Sequence, residues 1–439
     1  MVLQTKSNQS LYYLLIAYAF FAFLMPLSAG ISVILCILSF LAVVFLNDSD
    51  LLCFLAFSVC FAGGSGLTAL FLSIYDVVLA LIIVKNLILS IKHKDKKSIK
   101  FICAMLCLMA ILTLYGLILT KFHFYKLGQS LGLILTIAAV YLVKKVDFKK
   151  LIFILSLGLI SSTILSLIAY FCGISVLSPF IKDATSKYRF GAYFEYVNAF
   201  AFYCSLAQTC ILALFLNKTI NTKKWWALLV AVTLLGLSSF SKSFILVTII
   251  SYGIAILLGF IQTNNKKRYI KFCAIGLLVI SLVCLCCYKY IITIIQRFSA
   301  HTNYGGGALN IATTGRIGIW KTYLEYWTSS IWYVLFGCGI TANKVGEYTP
   351  HNFFISMLYR FGIVGILILI CFIIWIIKQY KATKNINWYL PLFIVLLNAF
   401  FEDISSSLFT CLPLLITMLM VLKTKNIHID NKQDLTEDK

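Results

Sequence analysis

Arginine is scarce in this 439-residue chain, and its positions suggest that it binds an anion. The chain has five arginines against 32 lysines, at Arg189, Arg268, Arg297, Arg316 and Arg360. Lysine suffices for a simple charge, whereas the guanidinium group offers a rigid fork of donors that binds phosphate bidentately. Four of the five fall on the predicted outer side of a membrane, which favours a phosphate or diphosphate ligand arriving from the lipid. The competing interpretation is that they reach lipid headgroups or pair with acidic side chains. Those acidic residues are Asp183, Glu195, Glu325 and Glu347.

His351 and Asn352 follow Pro350 and open a predicted apolar helix. A histidine at the outer end of such a helix can accept a proton from a substrate hydroxyl. We therefore expect His351 to act as a general base and Asn352 to orient it or to bind a sugar hydroxyl. A lone interfacial histidine with a purely structural role is the alternative.

The segment 313–365 is the most organised part of the chain. After Gly315, side chains suited to one helix face recur at three- and four-residue steps. These are Arg316, Trp320, Tyr323, Leu324 and Trp327. Because Trp and Tyr favour the headgroup zone, the pattern predicts an interfacial helix that holds Arg316 at phosphate depth. An ordinary interfacial anchor is the alternative interpretation.

Two earlier motifs are expected to face the same surface. Arg189 and Gly191 precede Asn198, which opens an apolar segment. The Ser241-Lys242-Ser243 tripeptide forms a short outer turn in which Lys242 is the only charge. Cys172 and Cys338 lie near predicted external loops, and we expect a disulfide between them.

These residues must be positioned by membrane-spanning helices. The chain is 61% hydrophobic and only 12% charged, with a mean hydropathy of +0.96. Soluble domains are about 45–50% apolar and about 25% charged, so a soluble enzyme, a secreted disulfide scaffold and a disordered chain are excluded. Apolar stretches of about 20 residues recur throughout. The prediction is an all-α, polytopic bundle of about 12–14 spans in one membrane domain, 1–439, where the segments 51–66 and 389–401 are short.

Basic residues predict the orientation. Five basic connections are separated by even numbers of spans and can share the cytoplasmic side. They are 92–100, 144–150, 217–224, 262–271 and 378–388. Both termini and the tail 423–439 then lie inside. Most of the formal charge of +22 is therefore carried by residues that set the orientation of the chain in the membrane. This argues against a nucleic-acid partner. The first external loop is 172–196, and the major one, 291–351, is expected to carry short interfacial helices.

In order along the chain, these motifs resemble the O-antigen polymerase and O-antigen ligase superfamily, which includes capsular polysaccharide polymerases. The motifs are Arg189/Gly191/Asn198, Ser241-Lys242-Ser243, Gly315-Arg316 with Trp320, Gly337-x-Gly339, His351-Asn352 and Gly362/Gly365. Lys242 departs from the family's usual arginine; it keeps the charge but loses the fork. The resemblance covers roughly residues 185–370 and the general topology.

The resemblance implies a glycosyltransferase of the bacterial cytoplasmic membrane. It would polymerise oligosaccharide repeat units carried on a polyprenyl diphosphate such as undecaprenyl diphosphate, inverting the anomeric carbon without a metal or other cofactor. It implies His351 and Arg316 as catalytic residues. Substrate would be bound by Arg189, Lys242, Asn198, Asn352, Arg360 and Trp320. Membrane lipids, a flippase and a chain-length regulator are the implied partners.

Other functions remain as alternatives. A ligase would use the same donor and a different acceptor. A lipid-linked oligosaccharide flippase or transporter should carry repeated mid-membrane charges, yet Asp76 and Lys85 have no counterpart in the other half. A metal-dependent transferase would need external acids, but Asp48-Ser49-Asp50 is predicted inside. A membrane scaffold would not need the long external loop.

Overall fold

The structure is a computed structural model, and it describes most of the chain. The described residues are 2–24, 27–28, 30–64, 74–119, 134–174, 179–182, 188–194, 196–220, 222–267, 269–271, 292, 315–339, 345, 350–380, 382–401 and 408–424. Arg268, Arg297, the tail beyond 424 and the whole predicted span 272–290 lie outside these residues.

The described chain is helical, apart from one short hairpin. The helices are α1 Val2–Leu24, α2 Gly30–Phe45, α3 Asp48–Ser58, α4 Ile74–Lys92, α5 Lys96–Leu119, α6 Phe148–Phe171, α7 Val197–Leu216, α8 Lys223–Ser238, α9 Lys242–Gln262, α10 Arg316–Thr328, α11 Ile331–Phe336, α12 Phe353–Tyr380, α13 Leu390–Asn398 and α14 Leu408–Lys423. Residues 134–142 are also helical, and 3-10 turns span Val59–Gly64 and Ile386–Tyr389.

Four of these helices are long and apolar enough to cross a membrane, by length and composition. They are α6, α7, α9 and the part Phe353–Lys378 of α12. The expectation of a helical protein whose helices are apolar enough to span a membrane is confirmed at this level. The predicted short segment 389–401 contains only the nine residues of α13. At 1.5 Å per residue, α13 is about 14 Å long, well short of a bilayer core of about 30 Å.

Helix α7 lies at the centre of the bundle and packs against α6, α8, α9 and α13. Its small residues let neighbours approach closely, and its hydroxyls are satisfied locally. Ser205 and Thr209 donate to carbonyls one turn earlier, at 3.0 and 2.7 Å, which removes the cost of burying them. Asn398 Nδ2 of α13 donates to Ser205 Oγ at 3.3 Å. Helix α13 is therefore tied to α7 two turns below Asn198.

The first external loop contains an antiparallel hairpin that the sequence reasoning missed. Strands β1 Phe180–Lys182 and β2 Tyr188–Phe190 pair with Ile181 opposite Arg189. Three residues per strand are too few to display the alternation that identifies a strand in sequence.

The five basic connections meet at one end of the bundle. Asp147 N donates to Ser49 Oγ at 2.9 Å, and Lys144 lies in electrostatic range of Asp95 and Lys423. Further links join the remaining connections at this end. They are Thr383 N to Val421 O at 3.0 Å, Asn385 Nδ2 to Asn217 Oδ1 and Gln262 Nε2 to Asn387 Oδ1 at 2.7 Å. We call this end the basic end.

The expected disulfide between Cys172 and Cys338 is wrong. Both are free thiols. Cys172 is exposed at the end of α6, whereas Cys338 is buried with Tyr323 and Tyr359 in a small second core beneath α10 and α11. Cys338 is held there by its backbone N–H, which donates to Tyr359 O at 2.7 Å.

Candidate functional site

Arg189 is the centre of the first group of predicted site residues, which we call the Arg189 cluster (Arg189, Asn198, Ser239, Lys242). Strand β2 holds Arg189 against the beginning of α7. Its Nη2 donates to Asn198 Oδ1 at 2.8 Å, and its Nε donates to Ser239 O at 3.0 Å. The two acceptors fix the plane of the guanidinium group and leave it half-buried. The motif residues Arg189 and Asn198 are therefore in direct contact.

Lys242 joins this cluster through the tight turn between α8 and α9. Ser239 caps the end of α8, and Ser241 caps the start of α9, with Lys242 as the first helical residue. Phe240 lies between them at φ +51°, a conformation that is strained for a bulky side chain. The turn closes tightly because Gly236 has no side chain. A Cβ at this position would lie only 2.0 Å from the ring of Phe244.

Arg316 is the centre of the second group, which we call the Arg316 cluster (Arg316, Trp320, His351, Asn352). Gly315 enters the left-handed region at φ +81° and starts α10 at Arg316. Arg316 Nη1 donates to Phe401 O at 2.6 Å. This carbonyl lies just beyond the end of α13, where unpaired carbonyls carry partial negative charge. The guanidinium group is thus half-buried and anchored by a segment 85 residues away in sequence.

Asn352 and Trp320 complete the same cluster. Asn352 caps α12 by accepting from Ile355 N at 3.1 Å, and its Nδ2 donates to Phe400 O at 3.2 Å. Trp320 Nε1 donates to Pro350 O at 2.8 Å, so α10 is fastened to the residue before His351. His351 is exposed at φ +45°. Asn352 is buried and used for capping, which makes the sugar-binding role predicted for it harder to fulfil.

The predicted glycine motifs hold the Arg316 cluster together by backbone contact. A Cβ at Gly337 would lie 2.4 Å from Arg360 O, and a Cβ at Gly362 would lie 2.3 Å from Gly337 N. Gly362 kinks α12 at φ +60°, ψ −173°. Only residues without side chains allow α11 and the kinked helix to meet this closely.

Arg360 is not at the surface. It lies on α12, eight residues after Asn352, and is only 3% exposed. The rise of about 12 Å between them places it deep beside the kink, whereas His351 is exposed. The Arg360 side chain is therefore enclosed within the protein, and Gly337 lies against its backbone carbonyl. Its role in binding substrate stays a prediction.

Glu325, one of the acids proposed to neutralise the arginines, pairs elsewhere. Its carboxylate lies 3.7 Å from Lys321 Nζ on the exposed side of α10. Asp183, Glu195 and Glu347 lie outside the described residues.

Helix directions place both clusters at the same end of the bundle. Helix α7 starts beside Arg189 and ends near Asn217 at the basic end, which is about 30 Å away for its 20 residues. Helix α13 runs antiparallel to it, from the neighbourhood of Asn387 to Asn398. Phe401, which binds Arg316, therefore lies toward the same end as Asn198. We call it the site end.

Sequence reasoning missed the acceptors that hold both arginines. They are the backbone carbonyls of Ser239, which binds Arg189, and of Phe401, which binds Arg316. The carbonyl of Phe400, which binds Asn352, was missed as well, because a backbone carbonyl leaves no signal in residue type. Among the described residues, no group of three or more His, Cys, Asp and Glu side chains could hold a metal ion. No protein-family model matches the sequence, and no curated protein matches it either.

Proposed function

We propose that this protein is a membrane glycosyltransferase that polymerises polyprenyl-diphosphate-linked oligosaccharide repeat units into surface polysaccharide. The observation that carries the proposal is that two arginine-centred clusters and an exposed histidine lie toward the same end of the bundle, opposite the lysine-rich connections. Lysines alone would suffice to orient the chain. Half-buried arginines held by carbonyl and amide oxygens are suited to an anionic ligand.

The proposed reaction is a single displacement. The hydroxyl of the acceptor sugar attacks the anomeric carbon of the donor, the new C–O bond forms, and the bond from that carbon to the diphosphate oxygen breaks. His351 takes the proton of the attacking hydroxyl. The diphosphate leaves with both electrons of the broken bond, and Arg316 and Arg189 stabilise its charge.

The remaining residues have supporting roles in this proposal. Lys242 adds positive charge beside Arg189, and Asn198 orients that guanidinium group. Trp320 fastens the helix of Arg316 to Pro350, beside His351. Asn352 and Arg316 bind the neighbouring carbonyls of Phe400 and Phe401. Arg360, buried at the kink, contributes to the field of the site rather than to contact with the ligand.

We extend the proposal to the membrane arrangement. About 12–14 spans cross the bacterial cytoplasmic membrane, with the basic end and both termini in the cytoplasm. The site end then faces the outer leaflet, where the carrier lipid presents its glycan. Helices α10 and α11 lie over it, along the interface.

The test is to replace His351 by Ala in cells and to size the surface glycan. We expect His351→Ala to abolish the long-chain ladder at normal protein level, because the acceptor hydroxyl loses its base. The matched control is His93→Ala, an exposed histidine near the basic end. A wild-type ladder from His351→Ala would refute the base assignment.

Deleting the gene separates polymerase from the other candidate functions. Single repeat units on the surface would support the polymerase. Full-length chains left on the carrier lipid would support the ligase instead, and repeat units trapped in the inner leaflet would support a flippase.

A further inference from the structure

An apolar groove separates α5 from the second half of α12. Its volume is about 510 Å³, within the range of about 300–1,000 Å³ that is typical of ligand sites. Phe101 forms its floor and stacks on Tyr141 and Trp375, with ring centroids 4.0 and 4.9 Å away, and those two rings also stack on each other at 5.3 Å. The walls include Leu367 and Ile368, which are 55% and 36% exposed. The groove is thus a rigid aromatic floor with open aliphatic walls.

The length of the groove matches one leaflet of a bilayer. Along α12, it extends from Val364 to Trp375. Eleven residues at 1.5 Å each correspond to about 16 Å, and half of a hydrocarbon core of about 30 Å is about 15 Å. Val364 lies just after the Gly362 kink, and Trp375 is close to the basic end.

Charge is confined to one end of the groove. Lys100 lines it beside Phe101 and is exposed. Phe101 stacks on Trp375, so Lys100 is at the basic end of the groove. It belongs to the connection 92–100, which carries four further lysines. The opposite end, at Val364 and Leu367, is lined by aliphatic residues. An occupant must therefore be anionic at one end and apolar along about 15 Å.

We propose that the groove binds an anionic phospholipid of the inner leaflet, with its phosphate at Lys100 and an acyl chain along Phe101, Leu367 and Ile368. Basic pockets between helices on the cytoplasmic side are suited to anionic headgroups. The lipid contacts α12 directly after its kink and so braces the helix whose other end carries Asn352. The inference rests on the proposed orientation, but it does not depend on glycosyl transfer.

The experiment measures quenching of Trp375 fluorescence by lipids brominated on the acyl chain. The full chain is reconstituted in nanodiscs with brominated phosphatidylglycerol or brominated phosphatidylcholine, and the signal of Trp375→Phe is subtracted. We expect phosphatidylglycerol to quench at lower mole fraction than phosphatidylcholine. Lys100→Ala should raise the phosphatidylglycerol fraction needed by about fivefold, because one lysine near an anionic lipid contributes about 1 kcal/mol.

Lys149→Ala is the matched control, since it removes an exposed lysine of another connection at the same end. It should leave the quenching curve unchanged. Equal quenching by the two lipids would overturn the proposal, as would equal effects of Lys100→Ala and Lys149→Ala. Crosslinking of Cys371 between two copies in membranes would assign the groove to a second copy of the chain and would also overturn it. Because the readout is binding, loss of polymerase activity alone would not affect the outcome.

Discussion

At the residue scale, each arginine at the site end combines a structural contact with a proposed catalytic one. Arg316 donates to Phe401 O, and Arg189 bridges Ser239 O and Asn198 Oδ1. A guanidinium group has five N–H donors. One arginine side chain can therefore donate to the protein backbone and still donate to a phosphate. Lysine would keep the charge, but its ammonium group lacks the planar fork that donates to the backbone and to a phosphate at the same time.

Arg316→Lys should therefore retain only part of the polymerising activity, and Arg316→Ala none. Loss of the charged hydrogen bond to Phe401 should also lower the stability of Arg316→Ala by about 1.5–3 kcal/mol. Ladder length and thermal unfolding in detergent measure the two effects separately.

Lys321→Ala is the control, because Lys321 is 78% exposed one turn further along the same helix, and such surface pairs contribute little. Full activity in Arg316→Lys would mean that a simple positive charge is enough and would remove the argument for bidentate phosphate binding.

Cys338 and Cys172 should differ sharply in reactivity. Burial raises the pKa of the Cys338 thiol to about 12. The raised pKa keeps the thiol protonated at all pH values well below 12, and the thiolate is the reactive species. At pH 8 an alkylating reagent should label exposed Cys172 and spare Cys338, as measured by peptide mass spectrometry. Labelling in SDS is the control, and equal labelling in the folded protein would contradict the burial of Cys338.

At the element scale, the kink of α12 is what allows α10 and α11 to pack against it. Gly337 follows directly after α11, and the backbone of Gly337 lies against Arg360 O and Gly362 N. Tyr323, Cys338 and Tyr359 then pack beneath α10, which brings Arg316 and Trp320 to the beginning of α12. The two glycines therefore position the proposed site without contacting a substrate.

Gly337→Ala and Gly362→Ala should each destabilise the protein by about 1–3 kcal/mol or more, because each adds a Cβ to strained backbone within 2.4 Å of backbone atoms. Both should lose activity. Gly253→Ala in α9 is the matched control, since a Cβ there meets nothing within 4 Å. Thermal unfolding distinguishes them; a wild-type melting temperature for Gly337→Ala would show that the close approach does not exist.

At the scale of the whole molecule, the two ends of the bundle differ in their cations. The lysine-rich connections collect at the basic end, and the arginine clusters lie at the site end, about one bilayer core away along α7. The overall charge of +22 therefore has two proposed roles. The lysines at the basic end orient the chain in the membrane, and the arginines at the site end form a binding surface.

Cysteine labelling in intact cells should separate these two ends. Ser329→Cys on the exposed end of α10 is expected to react with a membrane-impermeant maleimide from outside. Lys149→Cys at the basic end should react only after permeabilisation. Both positions are exposed, so accessibility within the protein does not differ. The reverse pattern would invert the proposed orientation.

The sequence alone determined the features that depend on local pattern. Hydropathy identified α6, α7, α9 and α12, and the three- and four-residue periodicity identified α10. The even number of predicted spans between successive basic connections predicted that these connections share one end. These predictions succeed because the residues within a few helical turns decide whether a segment is helical and whether it faces water.

The tertiary structure alone decided which carbonyl holds each arginine, that Gly337 meets Gly362, that Arg360 is buried and that Cys338 has no disulfide partner. Arg316 and Phe401 are separated by 85 residues, and Arg189 and Ser239 by 50. Backbone carbonyls have the same chemistry at every position, so residue type does not signal the acceptor. Only the packing of α7, α12 and α13 brings those atoms within hydrogen-bonding distance.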